Sequence, residues 1–230
     1  MSTRMQTLCA WSGLMFVALL FVGVWFVAWF IPPLAPALDA DAVAAFYAAS
    51  PTSIRIGLVI GMIASGFFIP WTAVLSVQMA RMQGTSPVLP VIQAIGGGVV
   101  VWIVLLPVVF WLTASFRVER SPELVLLLND LGWIALVATF PAPLMQLFAI
   151  GIATLSDRSP QPVFPRWAGY FNLWMGTLFI PGALIVFFKS GPFAWSGLIG
   201  FWVPLSAFAL WFVVMTPVLL KAIREQQATE

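Results

Sequence analysis

The charged residues of this chain stand far apart, and the stretches between them are almost wholly apolar. Six such stretches are long: residues 5–38, 56–80, 82–116, 131–156, 167–188 and 190–220. A helix needs roughly 20 apolar residues to cross about 30 Å of hydrocarbon. Trimmed at prolines and polar positions, the pattern predicts spans near 8–31, 54–81, 89–115, 122–155, 166–188 and 194–222. Only helices or closed barrels satisfy the backbone in lipid, and these runs are too long and too uniformly apolar for barrel strands. The predicted fold class is all-α, a polytopic membrane bundle of six helices forming one domain over residues 1–230.

The first run shares some features with a signal peptide: Arg4 precedes it, and Ala35, Pro36 and Ala37 resemble a cleavage site. Its apolar core, Ala10 to Ile31, is longer than the usual 7–15 residues or so. It is read as a retained first helix.

An even number of spans puts both termini on one side. That side carries Arg4, Arg81, Arg158, Arg166, Lys221 and Arg224, against Arg55, Arg117, Arg120 and Lys189 on the other. Six against four favours cytoplasmic termini in an inner cell membrane. The acids Asp39, Asp41, Glu119, Glu123 and Asp130 fall outside but weigh little in that rule.

Local signals mark the joints. Pro32, Pro33 and Pro36 end the first span, and Asp39 or Asp41 then caps a short helix through Ala49. Val43, Phe46 and Tyr47 share one face of it, as either a surface-lying segment or a packed connector. Ser121, Pro122 and Glu123 make a well-formed helix start.

Spans two and five align at an offset of 111 residues. Arg55 matches Arg166, and Gly57, Gly61 and Ser65 match Ala168, Asn172 and Gly176. Phe68, Ile69 and Pro70 then match Phe179, Ile180 and Pro181. Small residues at four-residue spacing let helices approach closely, and the prolines break or hinge each helix at one depth. These spans run in opposite directions. The match reads either as two inverted three-helix halves, a pointer to a transporter site, or as shared packing grammar. Pro107, Pro141, Pro143, Pro204 and Pro217, with Gly96, Gly97 and Gly98, add further bends.

Composition narrows the chemistry. The chain is 62% hydrophobic and 8% charged, with mean hydropathy +1.04. Soluble domains are about a quarter charged, so a soluble enzyme, a secreted disulfide scaffold and a disordered chain are excluded. There is no histidine, and Cys9 is the single cysteine. Histidine-ligated haem or metal, Ser/His catalysis and cysteine clusters are therefore beyond this chain. No cofactor, no metal and no catalytic residue is expected, and no basic cluster points to nucleic acid.

The candidate site residues are few. Asp130 is the ionisable group nearest a span interior, placed at the outer rim with Arg117 or Arg120 as ion-pair partner. Gln93, Gln146 and Asn172 fall in the inner half, bonded to one another or surrounding a polar solute. Trp71, Trp102 and Trp211 lie well inside spans, as aromatic walls or as core. Trp11, Trp29, Trp111, Trp167 and Trp195 fall near span ends, as an interfacial belt. The expected function is non-enzymatic: binding or transport of a neutral or apolar small molecule, with a cavity near Pro70 and Pro181. The alternative is an accessory subunit of a larger membrane complex. The expected partners are the lipid bilayer and a protein partner or second copy.

Overall fold

The computed structural model describes residues 3–117 and 119–229. Six helical spans are long and apolar enough to cross a membrane: Thr3–Val27, Pro51–Met79, Val88–Phe116, Pro122–Ser156, Arg166–Phe187 and Leu198–Ala228. The chain is a multi-pass helical membrane protein.

Most spans are not single α-helices. Span one is α1 (Thr3–Phe21) followed by a π-helical stretch, Val22–Val27. The helix ends at Val27, four residues before the expected end of the span, and Trp29 then takes a positive φ of 58°. The connector forms α2 (Ala40–Ala49), whose N-cap Asp39 accepts from the Ala42 N–H at 2.9 Å. Val43 and Tyr47 on α2 are buried against the bundle, so this segment is a packed connector. Span two is α3 (Pro51–Gly66) and α4 (Phe68–Met79), and span three is the unbroken α5 (Val88–Phe116). Span four divides into α6 (Pro122–Val137) and α7 (Pro141–Ser156). Pro141 has no N–H to continue the ladder and suits the first turn of a new helix, so the break falls just before it. Span five is α8 (Arg166–Thr177) and a 3₁₀ stretch, Ile180–Phe187. Span six opens with a π-helical stretch, Leu198–Trp202, and continues as α9 (Val203–Thr229). Pro107 and Pro217 lie inside helices that run on past them.

Packing forms two clusters. One, toward the termini, centres on Phe16, Phe68, Trp71 and Phe212. Its rings meet edge to face, with Phe16 and Phe68 centroids 5.3 Å apart. The other, toward the far face, centres on Phe30, Tyr47, Trp111, Trp133 and Phe201. Between spans in lipid the attraction is close packing rather than water expulsion, so glycines set how near helices come. A Cβ at Gly57 would stand 2.3 Å from the Gly23 carbonyl oxygen, and one at Gly23 would stand 2.5 Å from that of Gly57. Spans one and two thus cross backbone to backbone. Spans four and five do the same through Gly151 and Gly169.

The 111-residue correspondence holds at the helix break, since α3 ends at Gly66 and α8 at Thr177. It does not hold at the crossings. Gly57 corresponds to Ala168, whereas the close approach in span five uses its neighbour Gly169. After the break, one segment is α-helical and the other 3₁₀.

Polar ties close each end. On the terminal face, the Gln78 amide donates to Gln6 Oε1 at 2.5 Å and to Gln226 Oε1 at 3.0 Å. Arg81 donates to Gln78 Oε1 and, at 3.2 Å, to the Ala222 carbonyl. Spans one, two and six are joined there. Asp157 ties two loops on the same face. Its carboxylate accepts from the N–H groups of Gln83 at 3.1 Å, Ser159 at 2.9 Å and Val163 at 2.9 Å, and from the Ser159 hydroxyl at 2.6 Å. Burial alone would raise its pKa; these hydrogen bonds outweigh burial and hold it below the ordinary aspartate value. On the far face, the Arg55 guanidinium donates to the Ser115 carbonyl at 2.9 Å and the Phe116 carbonyl at 3.2 Å, capping α5.

Two outcomes are expected. Gly57→Ala drives its methyl into backbone that cannot give and lowers stability by about 1–3 kcal/mol, read as a drop in melting temperature in detergent. Asp157→Ala lowers stability by about 1–2 kcal/mol, since the carboxylate is partly solvated. Because the folded pKa is depressed, this contribution is complete above the unfolded value of about 3.9. It is lost as pH falls through the folded value. The gap between wild type and variant should therefore shrink in melting curves taken at progressively lower pH.

Candidate functional site

The inner amides do not form one group. Gln93 on α5 donates to Thr72 Oγ1 at 2.8 Å, and Gln146 on α7 donates to the same oxygen at 3.2 Å. The Ser76 hydroxyl lies in bonding reach of Gln93 Oε1 and, at 2.9 Å, of the Pro90 carbonyl. Thr72 is therefore a node joining spans two, three and four. Asn172 belongs elsewhere. It accepts from the Trp211 indole N–H at 2.8 Å, and donates to the Ala168 carbonyl at 2.7 Å and the Met215 sulfur at 3.3 Å. The expectation of three converging amides is corrected: the glutamines face span two, and Asn172 faces span six.

The expected tryptophan walls also divide. Trp71 is fully buried against Trp211 and Phe212, and a Cβ at Gly13 would stand 2.4 Å from its ring. It is core. Trp102 is 67% exposed on the outer surface of α5 and cannot line an interior site. Trp211 is buried and reaches the edge of a small void. Among the tryptophans read as a belt, Trp11, Trp29 and Trp167 are exposed, whereas Trp111 and Trp195 are buried. Trp195 donates to the Leu34 carbonyl at 2.9 Å.

The rim differs from expectation as well. Neither Arg117 nor Arg120 pairs with Asp130; among the described residues the ion pair is Lys221 with Glu225, at 3.6 Å. Arg117 turns outward over the Phe116 ring, 5.8 Å from its centroid. Lys189 is the cation whose field reaches Asp130. The Asn129 amide donates to Asp130 at 3.3 Å, and Asn129 Oδ1 accepts from the Tyr47 hydroxyl at 3.2 Å. Burial first, and the charge of Asp130 second, push the Tyr47 pKa well above its ordinary value, so Tyr47 remains a donor.

The main cavity is apolar, with a volume of about 150 Å³. It lies between spans one, three, four, five and six, toward the far face. One stripe of α5 lines it, Val100, Val104, Val108 and Trp111, at helical spacing over roughly 16 Å of rise. Trp133 beside Trp111, and Phe201, Leu205 and Phe208 of span six, complete much of the lining. The irregular parts of four spans meet this space: Val24 from the first π stretch, Thr139 and Phe140 from the span-four break, Phe179 from the span-five break, and Gly200 from the second π stretch. A second void of about 10 Å³ shares Val100, Pro143, Phe179 and Phe208 with it and leads on to Gln146 and Trp211. Neither Pro70 nor Pro181 lines these spaces; Pro143 and Pro204 do. The prolines themselves stay outside the lining, while Phe68 and Phe179, each two residues before one of them, reach it. Among the described residues, no group of three or more Cys, Asp or Glu side chains is placed to hold a metal ion.

Sequence reasoning missed Trp111 and Trp133. Their rings lie 4.8 Å apart, centroid to centroid, at one wall of the cavity. The available signal was Gly132: a Cβ there would stand 2.1 Å from the Trp111 nitrogen.

Thr72→Val removes the acceptor shared by Gln93 and Gln146. A stability loss of about 1–2 kcal/mol is expected, with Thr72→Ser close to wild type, in thermal unfolding of the purified protein.

In comparisons with known proteins, no family model, no curated protein and no solved structure matches this chain.

Proposed function

We propose that this protein binds a neutral or apolar small molecule within the bilayer and passes it along or across the membrane, without catalysing a reaction. The observation that carries the reading is the apolar cavity of about 150 Å³ among five spans. Apolar cavities of similar volume stay dry and take up small hydrocarbons. The helix breaks around the space support movement as well as binding, because interrupted spans are where transporter sites form and where segments pivot. The six-to-four distribution of Lys and Arg supports an inner-membrane setting with cytoplasmic termini. An accessory subunit, the other reading, has no need of an internal space and would present its cavity without ligand preference.

The test fills the cavity. Val104→Trp puts an indole into the space while leaving the polar ties at both ends intact. Solvent extracts of wild type and variant, purified in mild detergent, are compared by mass spectrometry. A small apolar compound enriched at least severalfold with wild type is expected. Identical extracts, with both proteins folded, would contradict the proposal.

A further inference from the structure

Gln146 is 2% exposed and borders the small void together with Phe68, Leu147 and Trp211. Its amide is held at one end. Nε2 donates to Thr72 Oγ1 at 3.2 Å, and a Cβ at Gly97 would stand 3.0 Å from the same nitrogen. A Cβ at Gly96 would stand 3.0 Å from the Gln146 Cβ. The bare backbone of these two glycines lets α5 close on the side chain and fixes the nitrogen branch of the amide beside Thr72. The oxygen of a planar amide lies on the opposite branch, so Oε1 points away from that clamp. Among the described residues Oε1 accepts no hydrogen bond. Nor is it sealed off as the unpartnered Trp71 and Trp133 nitrogens are. The surface it keeps faces the void that Gln146 borders.

A buried amide oxygen with no donor is destabilising. The rest of the small void's lining supplies no second side-chain partner. The Trp211 N–H is taken by Asn172 Oδ1 at 2.8 Å, and the other lining side chains are hydrocarbon. A buried water normally makes two to four hydrogen bonds, so a lone water fits poorly here. At about 10 Å³ the void admits one water-sized group. It adjoins the main cavity at Val100, Pro143, Phe179 and Phe208, which border both spaces. No charged residue lines either one.

We infer that the ligand class is an uncharged alcohol, whose apolar body fills the main cavity and whose terminal hydroxyl enters the small void and bonds to Gln146. This rests on the reading of the main cavity as a binding site and adds the ligand's polar end and its direction. The main cavity suits a body about the size of benzene. A hydroxyl is as small as a water and both donates and accepts, so it satisfies the free end of the amide. The apolar body supplies the hold that a lone water lacks. Carboxylates and ammonium groups fit poorly, because their charge would be buried without a partner.

The probes are 2-phenylethanol and propylbenzene, alike in size and shape, one ending in a hydroxyl and the other in a methyl. Binding to the full chain in nanodiscs is measured for wild type and Gln146→Met, with empty nanodiscs subtracted. Comparing one probe on two proteins cancels its partitioning into lipid. Gln146→Met should weaken phenylethanol binding about three- to tenfold, the value of one buried hydrogen bond, and leave propylbenzene within about twofold. A readout needing no variant is magnetisation transfer by NMR from bound phenylethanol to wild-type protein. Gln146 is the one side-chain amide bordering either space among the described residues, so the carbinol protons should transfer to a glutamine side-chain NH₂. Equal effects of Gln146→Met on the two probes, transfer from the ring protons alone, or binding of propylbenzene alone would each overturn the hydroxyl assignment while leaving the cavity reading intact. Should Gln146→Met fail to fold, the wild-type transfer decides. Failure of both probes to bind wild type would overturn the cavity reading, and the assignment with it.

Discussion

In hydrocarbon there is no water to take up a backbone N–H or carbonyl released by a helix break, and the whole structure depends on how that constraint is met. Four of the six spans depart from α-helix along their length in ways that border one space. Three of these departures re-bond their backbone locally. The π stretch of span one is closed by Ala28 N–H to the Gly23 carbonyl at 2.9 Å and Phe30 N–H to the Val24 carbonyl at 3.0 Å. The 3₁₀ stretch of span five begins with Gly182 N–H to the Phe179 carbonyl at 3.0 Å. The π stretch of span six hangs on the Gly197 carbonyl, which accepts from Phe201 at 3.0 Å and Trp202 at 3.3 Å. Non-helical backbone at membrane depth is tolerated where protein buries it or where it lines a cavity. Here it does both, and the cavity exists because the surrounding helices change pitch instead of packing straight through.

The two ends of the bundle are held differently from its middle. Gln6, Gln78, Arg81 and Gln226 tie the terminal face, and Arg55 caps the far end of α5. The Gly23–Gly57 and Gly151–Gly169 crossings fix helix pairs at backbone distance. Between these fixed points lies the region of broken helices. Rigid ends around an irregular centre suit a protein whose centre accommodates something.

Much of the fold was legible in the sequence, because the hydrocarbon thickness translates directly into run length. The spacing of charges predicted all six spans; the acids after the prolines pointed to Asp39 or Asp41 as a cap, which is Asp39, and small-residue spacing pointed to close packing at Gly57. The site was far less legible. Periodicity identifies a buried face only against a contrasting polar face, and α5 is apolar all round. Nothing in the sequence distinguishes the cavity stripe of Val100, Val104 and Val108 from the outward Trp102. Trp111 sits near a span end, where a belt residue is the ordinary expectation, yet the inward face of α5 buries it. Span position does not give azimuth, so Asn172 was grouped with glutamines it never meets. The ion-pair partner of Asp130 failed for the same reason: sequence distance brought Arg117 near, while the turn after α5 swung it out over Phe116.

The central claim is that the space among the broken spans admits a small apolar molecule. Xenon, a spherical apolar probe without hydrogen bonding, tests it directly when crystals of the protein are pressurised with the gas. The account predicts a strong xenon peak between Val104, Trp133 and Leu205, lost in a variant whose cavity is filled. Crystals that take up xenon only at the lipid-facing surface, with nothing between those three residues, would contradict it.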